Sequence, residues 1–219
     1  MKRKNSVELL DSDSGSPQEV AASLADLDRI NRWFGGIGAT QAMIARVARE
    51  TAGSSFSLLE VAAGAGLVPK EAARRLAKTG VQINITVLDR AASHLAGTGG
   101  VVGDARALPF ADGSFDLVSC NLFVHHLTPD DLICFANEAL RVCRTAVLIN
   151  DLVRHPIHLG LVYAGFPLYR SRITRNDAPA SVRQAYTPEE ICGLLKKTSA
   201  ARVEVMRHYL YRMGIMIWK

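Results

Sequence analysis

Four polar positions, each closing an apolar run or turning away from one, carry the chemistry legible in this 219-residue chain. Glu60 follows Leu58-Leu59 and precedes Val61 and the stretch Ala62-Ala63-Gly64-Ala65-Gly66, which has almost no side-chain bulk. A backbone that must approach a ligand closely needs such residues, and Gly64 and Gly66 also permit positive φ. Pro69 suits a first helical turn, so strand, small-residue loop and helix together form a nucleotide-binding turn. A dinucleotide fingerprint wants Gly-x-Gly-x-x-Gly, yet counting from Gly64 puts Pro69 at the third glycine position. The carboxylate at Glu60 suits a ligand that carries an amine. Asp89, closing Ile85-Thr86-Val87-Leu88, can take both hydroxyls of a ribose. Asp104, in Gly103-Asp104-Ala105, can accept from an adenine amino group, and Asn121 follows Ser119-Cys120. One acidic residue after a strand is more often a helix cap than a ligand contact; four such sites in order form a constellation.

The elements needed to position them follow from patterning. Strands are expected near 56–61, 82–88, 101–103, 115–120 and 146–150, with helices near 70–78, 91–96 and 130–142 between them. That alternation predicts an α/β, doubly wound, mostly parallel sheet with helices on both faces. Ligands of such sheets bind at the carboxyl ends of the strands, where all four polar positions fall. Residues 1–15 are expected to be disordered, and residues 16–219 to form a single domain. Within it, 16–52 make an N-terminal helical cap opened by the capping box Ser16-Pro17-Gln18-Glu19, with Gly35-Gly36 ending the first helix. A second helix is expected over 40–51. A helical insertion spans 152–186, rich in arginine and aromatics; a capped helix starts at Thr187, and two last strands form a hairpin around His208. These last strands bring the sheet to seven, with an antiparallel edge.

The carboxylate before the loop and the missing third glycine point toward S-adenosylmethionine rather than a nicotinamide or flavin cofactor. Over residues 57–151 the chain resembles the class I S-adenosylmethionine-dependent methyltransferases. Gly103-Asp104-Ala105-Arg106-Ala107-Leu108-Pro109-Phe110, Asp112-Gly113-Ser114-Phe115-Asp116-Leu117-Val118 and Leu122-Phe123-Val124-His125-His126-Leu127 resemble the small-molecule branch that includes the ubiquinone/menaquinone methyltransferases. The resemblance implies a Rossmann-like methyltransferase fold and a donor site at Glu60, Ala62, Ala63, Gly64, Gly66, Asp89, Arg90, Asp104, Ala105 and Asn121. Ala62 departs from the family, which usually has glycine there. Segments 28–36, 149–152 and 174–187 are similar to bacterial methyltransferases encoded beside type III polyketide synthases. That similarity implies secondary metabolism and a small aromatic acceptor, phenolic or quinone-like, methylated at oxygen.

A phenol, with a pKa of about 10, gains from a base as its oxygen attacks, and His125 and His126 follow the fourth strand, on the acceptor side of this fold. Adjacent helical residues diverge by about 100°, so one histidine is expected to face the acceptor and the other to pack. Trp33, Phe34, Tyr169 and Arg175 are the candidate acceptor contacts, in a lid built from 31–36 and 155–186. Asn121, Asn150 and Asp151 could approach Mg²⁺, but only Asp151 is charged, so no metal is expected. Other readings stay open: carbon methylation of a quinol, a nicotinamide-dependent oxidoreductase of similar architecture, and a non-catalytic donor-binding protein.

Composition narrows the partners. Residues 152–219 carry 11 Lys/Arg against 4 Asp/Glu, and residues 1–151 carry 15 against 17. The basic half has neither a lysine run nor an aromatic platform, which argues against nucleic acid. The longest lipophilic stretch, 157–168, is too short for a bilayer and contains Pro167. Cys120, Cys134, Cys143 and Cys192 show no Cys-x-x-Cys spacing, the pattern of reduced thiols in a cytoplasmic protein.

Overall fold

The computed structural model describes residues 1–10, 15–95 and 97–219. Two helices, α1 (Pro17–Trp33) and α2 (Gly36–Thr51), precede the alternation β1 (Ser55–Val61), α3 (Leu67–Ala77), β2 (Gln82–Asp89), β3 (Val101–Val102), β4 (Phe115–Asn121), α4 (Pro129–Val142) and β5 (Cys143–Leu152). The insertion forms α5 (Pro156–Ala164) and α6 (Arg172–Gln184); α7 (Pro188–Leu195), β6 (Arg202–His208) and β7 (Arg212–Trp218) close the chain. The strand order is β3-β2-β1-β4-β5-β7-β6. β1 to β5 run parallel, and β7 lies antiparallel to both β5 and β6. This is the expected seven-stranded doubly wound sheet with its antiparallel edge.

Side chains alternate across each strand, and both faces are buried. Leu58, Leu117, Ala146, Leu148 and Met216 pack on α2 and α3 through Met43, Ile44, Val47 and Leu76. Their neighbours Leu59, Val118, Val147, Ile149 and Ile217 pack on α4 and α7. Helix α4 fits that face because Leu132, Phe135, Ala136, Ala139 and Leu140 recur at helical spacing, and Thr128 caps its start. The strand order reverses between β1 and β4, and the carboxyl ends there open into a crevice.

Several boundaries differ from the sequence reading. Helix α2 begins at Gly36, four residues early, and only Gly35, at φ 77°, separates it from the end of α1 and its cap. The helix expected over 91–96 is a single 3₁₀ turn, Ala92–Leu95; Ala96 lies outside the described residues. The β6–β7 hairpin turns at Tyr209-Leu210-Tyr211, with Leu210 and Tyr211 at positive φ, and His208 itself pairs with Arg212 in the ladder.

The largest difference is at the N-terminus. Of the segment expected to be disordered, residues 1–10 pack against α6 and the turn after β4. The guanidinium of Arg3 donates to the carbonyls of Gln184, His125 and Leu127 at 2.6, 3.0 and 2.8 Å. The Leu9 and Leu10 amides donate to the Asp177 carboxylate at 2.9 and 3.0 Å. Residues 11–14 lie outside the described part. No helix among the described residues is long and apolar enough to cross a membrane.

Candidate functional site

A cavity of about 1020 Å³ lies over the carboxyl ends of β1 to β5. Single-ligand sites usually span roughly 300–1,000 Å³, so this cavity stands at the upper end of that range. Glu60, Ala62, Ala63, Gly64, Asp89, Arg90, Asp104, Ala105, Asn121, His125, His126, Trp33, Phe34 and Tyr169 all line it; Gly66 and Arg175 do not.

On the β1–β3 side, Glu60 is buried and its carboxylate accepts from the Ser119 hydroxyl and from Asn121 Nδ2, the latter at 2.6 Å. Burial pushes its carboxyl up to about 7, and those two hydrogen bonds only partly oppose the shift. A buried carboxylate held this way, facing a cavity, is ready to take a cation. Asn121 divides its amide between Glu60 and the Thr40 hydroxyl, which donates to Asn121 Oδ1 at 2.8 Å. Its place is therefore to orient Glu60. Ser119 and Thr40 share this task; Ser119 belongs to the expected fourth strand-end site, and sequence reasoning missed Thr40.

The loop after β1 is tight. The Ala63 amide donates to the Leu88 carbonyl at 3.1 Å, and the Gly64 amide to Asp89 Oδ2 at 2.9 Å. Gly66 is the N-cap of α3 at φ 68°, and a Cβ there would sit 2.9 Å from Val87 Cγ1. Gly66 thus shapes the loop from behind the cavity wall. Ala62 holds φ at 53°, a left-handed conformation that costs a residue with a Cβ about 1–2 kcal/mol. Ala62→Gly is expected to relieve that strain and raise the donor-free melting temperature by up to about 2–4 °C. Thermal unfolding checks it; an unchanged or lower midpoint would show that Ala62 is unstrained.

Asp89 also accepts from the Ala91 amide at 3.0 Å. Burial would raise its carboxyl, but His94 and the Gly64 and Ala91 amides together hold it below the ordinary range. It is therefore ionised, with oxygens held in place at the rim. Asp104 is more exposed and carries Arg106, whose guanidinium also reaches Asp131 at 3.0 Å.

On the far side, His125 and His126 sit in a 3₁₀ turn, Val124–His126, and not in an α-helix. Both rings line the cavity, with centroids 4.1 Å apart. The expectation that only one would face it is corrected: in this short turn both side chains converge on Glu8, from the N-terminal segment. His125 Nδ1 lies 2.6 Å from Asp151 Oδ1, and the His125 amide donates to Asp151 Oδ2 at 3.1 Å. The Leu152 amide also donates to Asp151 Oδ1, at 2.6 Å. Burial opposes the charge of Asp151, but the charge and hydrogen bond of His125, the Leu152 amide and the charge of His126 outweigh it and hold its carboxyl low. An ionised Asp151 is acceptor-only, so Nδ1 of His125 carries the proton and Nε2 is turned away from the sheet.

Arg212, buried in β7, ties the end of α1 to β5. It donates to the Phe34 carbonyl, Asn150 Oδ1 and Asn31 Oδ1 at 3.1, 3.2 and 2.7 Å. Burial lowers its guanidinium to about 10, with Asp151 opposing the shift. Phe34 is held at the cavity through this contact, whereas Trp33 is 59% exposed at the rim. Arg175 donates to the Tyr169 carbonyl at 3.0 Å, so it fixes the strand of chain that carries Tyr169 without reaching the cavity. Asn150 and Asp151 are not placed as Mg²⁺ ligands: Asn150 donates to Gly36 and Thr40, and Asp151 holds His125.

Residues 59–149 match the family described as "Methyltransferase domain". No curated protein matches the chain. Among solved structures, the plantazolicin methyltransferase BpumL, bound to a monoazolic desmethylPZN analog and SAH, is similar over 97% of this chain and 94% of its own, at 12% identity and a TM-score of 0.73. A SAM-dependent methyltransferase from Aquifex aeolicus is similar over 80% of this chain and 88% of its own, at 17% identity and a TM-score of 0.54. Human N-acetylserotonin methyltransferase, in complex with SAM, is similar over 87% of this chain and 57% of its own, at 18% identity and a TM-score of 0.56. At these identities the likeness is one of fold.

Proposed function

We propose that this S-adenosylmethionine-dependent methyltransferase methylates a small aromatic metabolite, phenolic or quinone-like, at oxygen. The observation that carries the reading is one continuous cavity with a buried carboxylate and a ribose-type carboxylate at one end and an Asp151-oriented imidazole at the other.

The residues present fit the donor. Glu60 answers its ammonium group, Asp89 its ribose hydroxyls, and the Ala62–Gly66 loop leaves room for close approach. Around Gly64 a Cβ would meet nothing within 4 Å, so that part of the loop faces open space. Arg90, Asp104 and Ala105 line the side that would take the adenine. When bound, the donor supplies a methyl group already activated on a sulfonium.

The chain's own work is then to align an acceptor, exclude water and handle one proton. His125 Nε2 can take a phenol proton as the oxygen attacks, and Asp151 stabilises the imidazolium that results. His126 lies beside it. Phe34, Tyr169, Leu161, Val162 and Leu168 give the wall of this end its apolar character, which suits an aromatic ring. The N-terminal segment and α6 cover it.

The test is incubation with isotopically labelled S-adenosylmethionine and a panel of phenols and quinols, with products resolved by NMR. A labelled methyl ether supports the reading. A labelled methyl on ring carbon would replace it with carbon methylation. Calorimetry in which NADH binds and neither the donor nor SAH does would overturn the donor assignment.

A further inference from the structure

We propose that Glu8, His125 and His126 form a binding site for one divalent transition-metal ion of the Zn²⁺ type, at the acceptor end of the cavity. One potential ligand atom from each of the three lies within 4.8 Å of the others. His125 Nε2 is 3.7 Å from Glu8 Oε1, and His126 Nε2 is 4.0 Å from Glu8 Oε2. Ligands held about 2.1 Å from a tetrahedral zinc ion stand roughly 3.4 Å apart, so closing the site draws ligand atoms that lie within 4.8 Å of one another together by up to about 1.4 Å. Glu8 enters on a segment without regular secondary structure and can supply that movement.

The surroundings have the form that metal sites require. His125 is 3% exposed and its other ring nitrogen is held by Asp151, the carboxylate–histidine arrangement that fixes a ligand's tautomer. Glu8 Oε1 accepts from Ser181 Oγ at 2.7 Å and from Gln184 Nε2 at 2.6 Å, so the carboxylate is oriented as well. Two imidazoles and one carboxylate favour zinc and its neighbours over Mg²⁺ or Ca²⁺, which prefer all-oxygen sets. Three protein ligands on the wall of a cavity leave a position for an exogenous oxygen. There a bound ion would lower the pKa of a coordinated phenol, whose proton would leave to solvent because the ion occupies the Nε2 lone pair that otherwise receives it. That consequence rests on the methyl-transfer reading; the ion's binding does not. The site departs from the metal-free expectation because its carboxylate comes from the N-terminal segment, remote in sequence from both histidines.

The test uses the tag-free 219-residue chain, stripped with chelator and titrated with CoCl₂. One equivalent should bind with the visible ligand-field absorption of a four- or five-coordinate ion. Glu8→Gln and His126→Ala should each weaken it by more than the ~10–100-fold typical of outer-shell changes. SAH calorimetry on each variant reports whether it is folded. Amide exchange across residues 2–10 of the wild type should slow on adding ZnCl₂, which keeps the test open if a variant does not fold. Absence of a one-to-one Co²⁺ complex, a band unchanged in both variants, or exchange indifferent to ZnCl₂ would overturn the site. Loss of SAH binding by a wild type that still takes Co²⁺ would instead sink the methyltransferase reading alone.

Discussion

Glu60→Gln should make the donor-free protein more stable above pH 7 and weaken S-adenosylmethionine binding by roughly 30-fold or more. The Glu60 carboxyl ordinarily titrates at 4.5, and burial lifts it to about 7 in the fold. Between those values the folded chain holds a proton that the unfolded chain has released, so stability falls as pH rises through the window. Above pH 7 the full cost of the buried charge is present, on the order of 3 kcal/mol. Glutamine escapes it while keeping an oxygen for Asn121 and an amide to donate to Ser119. At about 2–4 °C per kcal/mol, the variant's melting temperature should exceed the wild type's by roughly 6–12 °C at pH 8 and converge with it near pH 4.5. The donor's ammonium reverses the balance, because it pairs with the ionised form, and losing a buried charge partner costs about 2–5 kcal/mol. Calorimetry across pH 5–8 measures both effects. Wild-type donor affinity should also climb as pH rises toward 7. A variant that bound the donor as tightly as the wild type would remove Glu60 from the site.

Asp151→Asn is expected to cut methyl transfer by about 10²–10⁴-fold while leaving SAH affinity within a few-fold. Asp151 accepts from the His125 ring, the His125 amide and the Leu152 amide. Asparagine offers one oxygen and one NH₂ in place of two acceptors, so either the His125 ring loses its Nδ1 acceptor or a buried amide loses its own. An unsatisfied buried group costs about 1–3 kcal/mol, so melting should fall by several degrees as well. Steady-state rates on whichever phenol the panel identifies, with donor affinity measured in parallel, separate the two effects. A turnover within threefold of the wild type would exclude His125–Asp151 from proton transfer.

The sheet was readable because its signals are local. Apolar runs ending in Glu60, Asp89 and Asn121 mark strands and their carboxyl ends, and Ser16 and Thr187 mark helix starts through side chains three residues away. The Ala62–Gly66 loop announces itself by lack of bulk. Contacts spanning the chain were not readable. Arg3 reaches carbonyls more than 120 residues distant, and nothing near Glu8 in the sequence marks it as a wall of the cavity. Arg212 reads as one more basic residue of the C-terminal half, yet it is buried and anchors Asn31, Phe34 and Asn150. The start of α6 is set by Asp26, whose carboxylate accepts from the Arg170 and Ser171 amides at 2.9 Å. Both histidines turn inward because a 3₁₀ turn and a distant carboxylate, absent from helical periodicity, set their rings.

The N-terminal strap also divides the molecule's freedom to change. Glu60 and Asp89 stand on the paired strands β1 and β2, whereas Glu8 and Leu10 are borne on a segment outside the sheet. The cavity-lining residues of the 1–10 segment and of the 155–184 insertion can therefore change without altering the strands that carry Glu60 and Asp89.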